Sequence, residues 1–162
     1  MFLPRDSSAG HGQDDPLSRY RHVDVFDIAG ATDVHGRKYD VFNASIASDD
    51  GVVHDGIKPV TFCSWLDFNV NSELGKFGLH NGGEQDAGLL NEKWEGLALA
   101  PVGGHNPDEY FLFASSDNDF ITQDGFMNGG KLPYKDASGF NLDNQVLVFR
   151  VTLPKGAKPL VS

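Results

Sequence analysis

Lys93-Trp94-Glu95-Gly96-Leu97-Ala98-Leu99-Ala100-Pro101 and Glu109-Tyr110-Phe111-Leu112-Phe113-Ala114-Ser115-Ser116-Asp117-Asn118-Asp119 are the two stretches on which the fold turns. Each carries an apolar, strand-like run, and a short polar segment joins them. They are predicted to form a β-hairpin with strands at residues 94–100 and 110–115. An antiparallel hairpin sets the start of its first strand beside the end of its second. Glu95 is therefore expected near Asp117, Asn118 and Asp119, a knot of oxygen-bearing side chains at one sheet end. Like charges gathered in this way repel one another unless a cation or substrate compensates.

Outward from the hairpin, Val146, Val148 and Val151 mixed with Leu147 and Phe149 predict a third strand over residues 145–153, ended by Pro154. Alternation around Val23 and Val25 predicts a strand over residues 22–28. Residues 60–68 are apolar but mixed, and Pro59 argues against a central strand beginning there. Residues 71–77 have a helix-start pattern, with Asn71 or Ser72 as cap and Leu74 and Phe77 on one face. Residues 117–144 are rich in Gly, Asn and Asp and are expected to be one long irregular excursion. Residues 1–19, rich in Ser, Gly, Asp and Pro, are expected to be disordered, residues 20–154 to fold, and residues 155–162 to form a mobile tail. Cys63 is the single cysteine; it has no intrachain disulfide partner and is expected to be a small buried hydrophobe.

Several of these segments carry a resemblance. Trp94-Glu95-Gly96-Leu97-Ala98-Leu99, Ser116-Asp117-Asn118-Asp119-Phe120 and Asp143-Asn144-Gln145-Val146-Leu147-Val148-Phe149 resemble the phytase-like ("esterase-like activity of phytase") family, its fungal members in particular. Gly78-Leu79-His80-Asn81-Gly82-Gly83 and Gly125-Phe126-Met127-Asn128-Gly129-Gly130 resemble it too, so the likeness runs over about residues 24–153. It implies an all-β chain forming part of a β-propeller: one to two blades of antiparallel strands, long irregular loops and one short helix. Blades have four strands. A fourth strand is then expected from an amino-terminal part of the same propeller missing here, and the strand at residues 22–28 is assigned to the preceding blade. The chain is expected to be a fragment, a truncated gene product or one with a divergent start, and not a self-sufficient complete propeller. The resemblance also implies that the intact protein is secreted. Met1 to Asp15 is polar and lacks the apolar core of a signal peptide, so a signal is expected upstream or has been lost. Asn43-Ala44-Ser45 is a glycosylation sequon.

Composition narrows the function classes. At 162 residues, 40% of them hydrophobic and 12 of them Phe, the chain can build a real core. Its net charge of −10 argues against nucleic acid and against an anionic membrane surface. No apolar run is long enough to span a bilayer. There is no Gly-x-Ser-x-Gly elbow, phosphate loop or dinucleotide fingerprint, so no organic cofactor is expected. No Cys-His spacing suits structural zinc. The histidine nucleophile of acid-phosphatase phytases, set in Arg-Gly-Arg, is absent as well.

The remaining chemistry concentrates on few residues. Glu95, Asp117, Asn118 and Asp119 form an oxygen set suited to Ca²⁺, or alternatively Mg²⁺. The plainer alternative has Asp117 and Asn118 closing a turn, and Glu95 in a salt bridge with Lys93 or Lys131. His80, between glycines, is a candidate acid–base group or a solvated loop residue. Lys131 is a candidate anion holder or a counter-charge to nearby Asp side chains. The leading expectation is metal-assisted hydrolysis of a small phosphate or carboxylic ester, with Glu95, His80 and Lys131 as the catalytic candidates. The alternative is a non-catalytic secreted propeller that binds a ligand or protein.

Overall fold

The computed structural model describes residues 1–36, 38–104 and 106–156. Residues 157–162 of the expected mobile tail lie outside the described residues. Among the described residues the strands are β1 (His22–Asp27), β2 (Thr61–Asp67), β3 (Lys93–Pro101), β4 (Glu109–Asp117), β5 (Gly125–Met127), β6 (Leu132–Tyr134) and β7 (Val146–Thr152). One helical turn, α1 (Asn71–Leu74), runs into a 3₁₀ turn at Gly75–Phe77. The chain is all-β, as expected. It divides into two units, Met1–Phe2 with Val23–Leu66, and Leu3–His22 with Asp67–Ser162.

In the first unit β1 pairs with β2. Val23 is fully buried, and Phe26 packs against Phe2 and Phe62 with ring centroids 5.9 and 5.8 Å away. Cys63 is exposed, contrary to the expectation of a buried thiol. The reason is local: β2 belongs to a two-stranded ribbon, and its first four residues are all exposed.

The second unit is built on an antiparallel sheet ordered β3-β4-β7, the three late strands read from the sequence. Its rows are Leu99–Leu112–Phe149 and Leu97–Ala114–Leu147 on the inner face, and Ala98–Phe113–Val148 and Ala100–Phe111–Arg150 on the outer. Leu112 and Ala114 are fully buried. Phe68 covers this side, stacked on Phe149 at 5.2 Å and edge-on to Trp94 at 5.5 Å.

Strict alternation would put Trp94 on the outer face with Ala98 and Ala100. A β-bulge prevents this. Trp94 pairs with Ser116 and Gly96 with Ser115, leaving Glu95 as the extra residue. The bulge turns Trp94 inward, where it is 1% exposed and donates its indole N–H to the Asn91 carbonyl at 2.8 Å. Gly96 fits because a Cβ there would meet Ser115 Oγ at 2.1 Å.

In the structure the amino-terminal segment makes contacts of its own. Leu3–His22 belongs to the second unit, and Ala9, His11 and Ser18 are buried. Asp6 is the knot: its carboxylate accepts from the Ser18 hydroxyl and from the backbone N–H groups of Arg19 and Tyr20. These groups are paired at long range, which composition does not report. The short helix also differs in detail. Val70, not Asn71 or Ser72, occupies the N-cap, without a side-chain bond. Asn71 instead exchanges hydrogen bonds with the Asn81 backbone, at 3.1 and 2.7 Å. Within the long excursion β5 and β6 form a small hairpin, closed through Asn128, Gly129 and Gly130, all at positive φ.

Candidate functional site

The end of β4 runs straight into an unusual turn. Asp117 Oδ1 accepts the Asp119 N–H at 2.6 Å, and Asn118 Oδ1 accepts the Phe120 N–H at 3.2 Å. These nested turns hold Asp119 and Phe120 in the left-handed region, at φ 53° and 58°. Two successive non-glycine residues there store strain, a feature that clusters at functional sites. Asn118 Nδ2 donates to the Leu142 carbonyl at 3.0 Å, tying the turn to the far end of the excursion.

The carboxylates expected to gather are each engaged separately. Lys93 Nζ lies 2.7 Å from Asp119 Oδ1, and that contact raises the ammonium's pKa. Glu95, on the bulge, is exposed and lies 3.6 Å from Arg5 Nη2, a partner outside the pair weighed from the sequence. Asp117, Asn118 and Asp119 line one narrow hollow together with His11, Asn91 and Glu92. Glu95 lines a different, open hollow with Gly96, Ser115, Ser116, Asp117 and Asn144. Among the described residues no group of three or more His, Cys, Asp or Glu side chains is placed to hold a metal ion. Of Asp117, Asn118 and Asp119, only Asp117 shares a hollow with Glu95, and one oxygen of each already serves the turn or Lys93.

His80 also sits apart, lining neither hollow. Its Nε2 is 2.8 Å from Asp86 Oδ1 and its Nδ1 is 2.7 Å from the Gly82 carbonyl. Acceptors at both nitrogens favour the doubly protonated ring, and the Asp86 contact foremost raises its pKa. His80 thus clamps its loop through Asp86 and the Gly82 carbonyl. Lys131 is in the turn between β5 and β6, exposed, and lines neither hollow.

What sequence reasoning missed is the buried polar layer beneath the sheet end. Asn91 accepts the Trp94 indole N–H through its carbonyl and donates from Nδ2 to Ser116 Oγ and the Asp143 carbonyl, both at 2.9 Å. Gln145 links this layer to β7: it receives the Asn91 N–H at 2.8 Å and donates to the Leu89 carbonyl at 3.0 Å. Arg21, 1% exposed, donates to Asn81 Oδ1 at 2.9 Å, and burial pulls its pKa down to about 10. The one signal available in sequence was a run of Asn, Asp and Gln bordering apolar strands.

No protein-family model matches the chain. No solved structure matches it. It is 48% identical over 145 residues to an uncharacterized secreted protein of Arthroderma benhamiae, a match covering 85% of this chain. The match spans 28% of that protein's length, so the chain is similar to a minor part of a longer molecule.

Proposed function

We propose that the chain is a sheet-forming part of a longer, secreted, phytase-like β-propeller, and that it works by association and binding, not as a self-contained hydrolase. The observation that carries this reading is the outer face of β3-β4-β7. Antiparallel sheets with one wet face alternate apolar and polar residues. Here the outer rows hold Ala98, Phe113, Val148, Ala100 and Phe111, with Arg150 as the charged member at one end, and Val146 follows opposite Ser115. Val146 is 58% exposed and Val148 53%. A contiguous apolar face of this kind belongs against another layer, as in face-packed sheets and stacked propeller blades. The length of the Arthroderma benhamiae relative outside the matched part supports further chain of the same protein as that layer. Secretion is supported by that relative's description and by the exposure of Asn43 in its sequon.

The test compares the chain with a Phe113→Lys/Val148→Lys double variant. The chain alone is expected to bind a hydrophobic dye and to form a one-to-one complex with the separately produced remainder of a longer homologue. The variant is expected to lose both with little change in its own unfolding midpoint. A chain that binds neither dye nor remainder, or a variant that unfolds outright, counts against the reading.

Metal-assisted ester or phosphate hydrolysis is a second reading, favoured by the bulged Glu95 beside an open hollow with Ser115, Ser116 and Asp117. Bulges often re-aim a side chain beside an active site. Turnover of a small ester or phosphate by the full-length protein with Ca²⁺, lost in Glu95→Gln, would support it; turnover unchanged in that variant would remove it.

A further inference from the structure

The narrow hollow at the end of β4 contains two polar side chains that are almost wholly buried, His11 at 4% and Asn91 at 2% exposure. Each has one atom engaged and one left over. His11 Nε2 lies 2.6 Å from the Asp86 carbonyl; a carbonyl only accepts, so this nitrogen carries the proton. Nδ1 of the neutral ring is then a lone pair, buried without a partner among the described residues. Asn91 Nδ2 donates twice, and one of its acceptors is the Asp143 carbonyl, which fixes the amide orientation. Asn91 Oδ1 is likewise a buried acceptor without a partner among the described residues. Leaving such atoms unsatisfied is costly, and two orphans of the same kind on residues that line one hollow call for an occupant that draws on lone pairs.

The charge around them points the same way. Glu92, Asp117 and Asp119 against Lys93 leave the lining a formal charge of −2. Glu92 is held by Arg5 at 2.9 Å and Asp119 by Lys93 at 2.7 Å. Asp117 spends Oδ1 on its own turn, and Oδ2 has no partner among the described residues. The hollow has room for a single water-sized occupant.

We propose that this hollow binds one divalent transition-metal ion of the Mn²⁺ or Zn²⁺ class through His11 Nδ1, Asn91 Oδ1 and the Asp117 carboxylate. An imidazole nitrogen with amide and carboxylate oxygens is a mixed set that suits these ions, whereas Ca²⁺ takes oxygen alone. With an amide as the third ligand the set has only two acidic or imidazole side chains, so it is consistent with the absence of a three-residue cluster of that kind among the described residues. The ion would pin residues 1–19 to the end of β4, and it is independent of the association proposed above.

The test is titration of chelator-treated protein with Mn²⁺, Zn²⁺ and Ca²⁺, read by the unfolding midpoint and, for Mn²⁺, by its electron paramagnetic resonance signal. Mn²⁺ or Zn²⁺ should bind one to one and raise the midpoint, with Ca²⁺ much weaker and chelator reversing the rise. Asp117→Asn keeps the turn acceptor, so the fold survives, and should weaken binding about tenfold or more. His11→Gln should do the same. Absence of binding overturns the proposal and leaves the hollow to a water molecule. Binding unchanged in Asp117→Asn also overturns it, since the ion then sits elsewhere.

Discussion

Arg5 Nη1 lies 2.9 Å from Glu92 Oε1 across 87 residues of chain, and its Nη2 reaches Glu95 on the bulge at 3.6 Å. The amino-terminal segment is thereby fastened to the strand that carries Trp94. Arg5→Ala should lower stability by about 1 kcal/mol, as for a partly exposed ion pair. Deleting residues 1–19 should cost considerably more, because it also removes buried Ala9, His11 and Ser18. Urea unfolding of the two variants checks this; equal stability of the truncated and intact chains would refute it.

The His80 clamp should make stability depend on pH. Its pKa in the folded chain is raised above the ordinary 6.5, mainly by Asp86. The contribution is therefore complete below 6.5 and is lost as pH rises through the higher folded value. Asp86 is shifted the other way, its pKa lowered chiefly by His80, so its share is present above about 3.8 and lost as pH falls through the lower folded value. Unfolding between pH 4 and 9 should show this window, and His80→Gln should flatten its alkaline side. An NMR titration placing His80 below 6.5 would contradict it.

Arg21 is buried with amide and carbonyl oxygens, not a carboxylate, as its direct partners. Its guanidinium Nε is buried without a partner among the described residues. Burial is the main cause of its depressed pKa. Arg21→Met keeps volume and removes the desolvation penalty, so it should cost less than about 1.5 kcal/mol. Arg21→Ala, leaving a void, should cost about 2–5 kcal/mol. Thermal unfolding of the pair decides; equal losses would mean that the charge itself is what matters.

Gly88 offers a backbone test. A Cβ there would stand 2.6 Å from the Gly78 carbonyl oxygen, which cannot swing aside as a side chain would. The same loop is held by the His80 N–H on the Gly88 carbonyl at 2.9 Å. Gly88→Ala should cost about 1–3 kcal/mol and speed amide exchange in residues 80–90. Gly51→Ala, where the added Cβ meets nothing but φ is +80°, serves as the comparison for conformational strain alone.

Much of the architecture was legible because it is written in residues close in the chain. The apolar runs over residues 94–100 and 110–115, joined by a short polar turn, are enough to predict the hairpin, and the run over residues 145–153 a third strand; the order β3-β4-β7 comes from the structure. The β5–β6 hairpin escaped notice because three-residue strands carry too little periodicity, although Asn128-Gly129-Gly130 was a turn signal. The candidate site was legible only as a region. Asp117 to Asp119 do line a hollow, but Glu95 faces another one, and His11 and Asn91 gave no local sign of their place in it.

The sequence by itself determined β1, the β3–β4 hairpin, β7 and the short helical turn, because propensity and turn signals act between residues close in the chain. Tertiary structure alone decided the bulge at Glu95, the inward turn of Trp94, the burial of the amino-terminal segment and the partner of each carboxylate. Those depend on which groups meet across tens of residues. There a single extra residue reverses the face of everything before it, and a buried polar atom must find whichever partner the fold brings near.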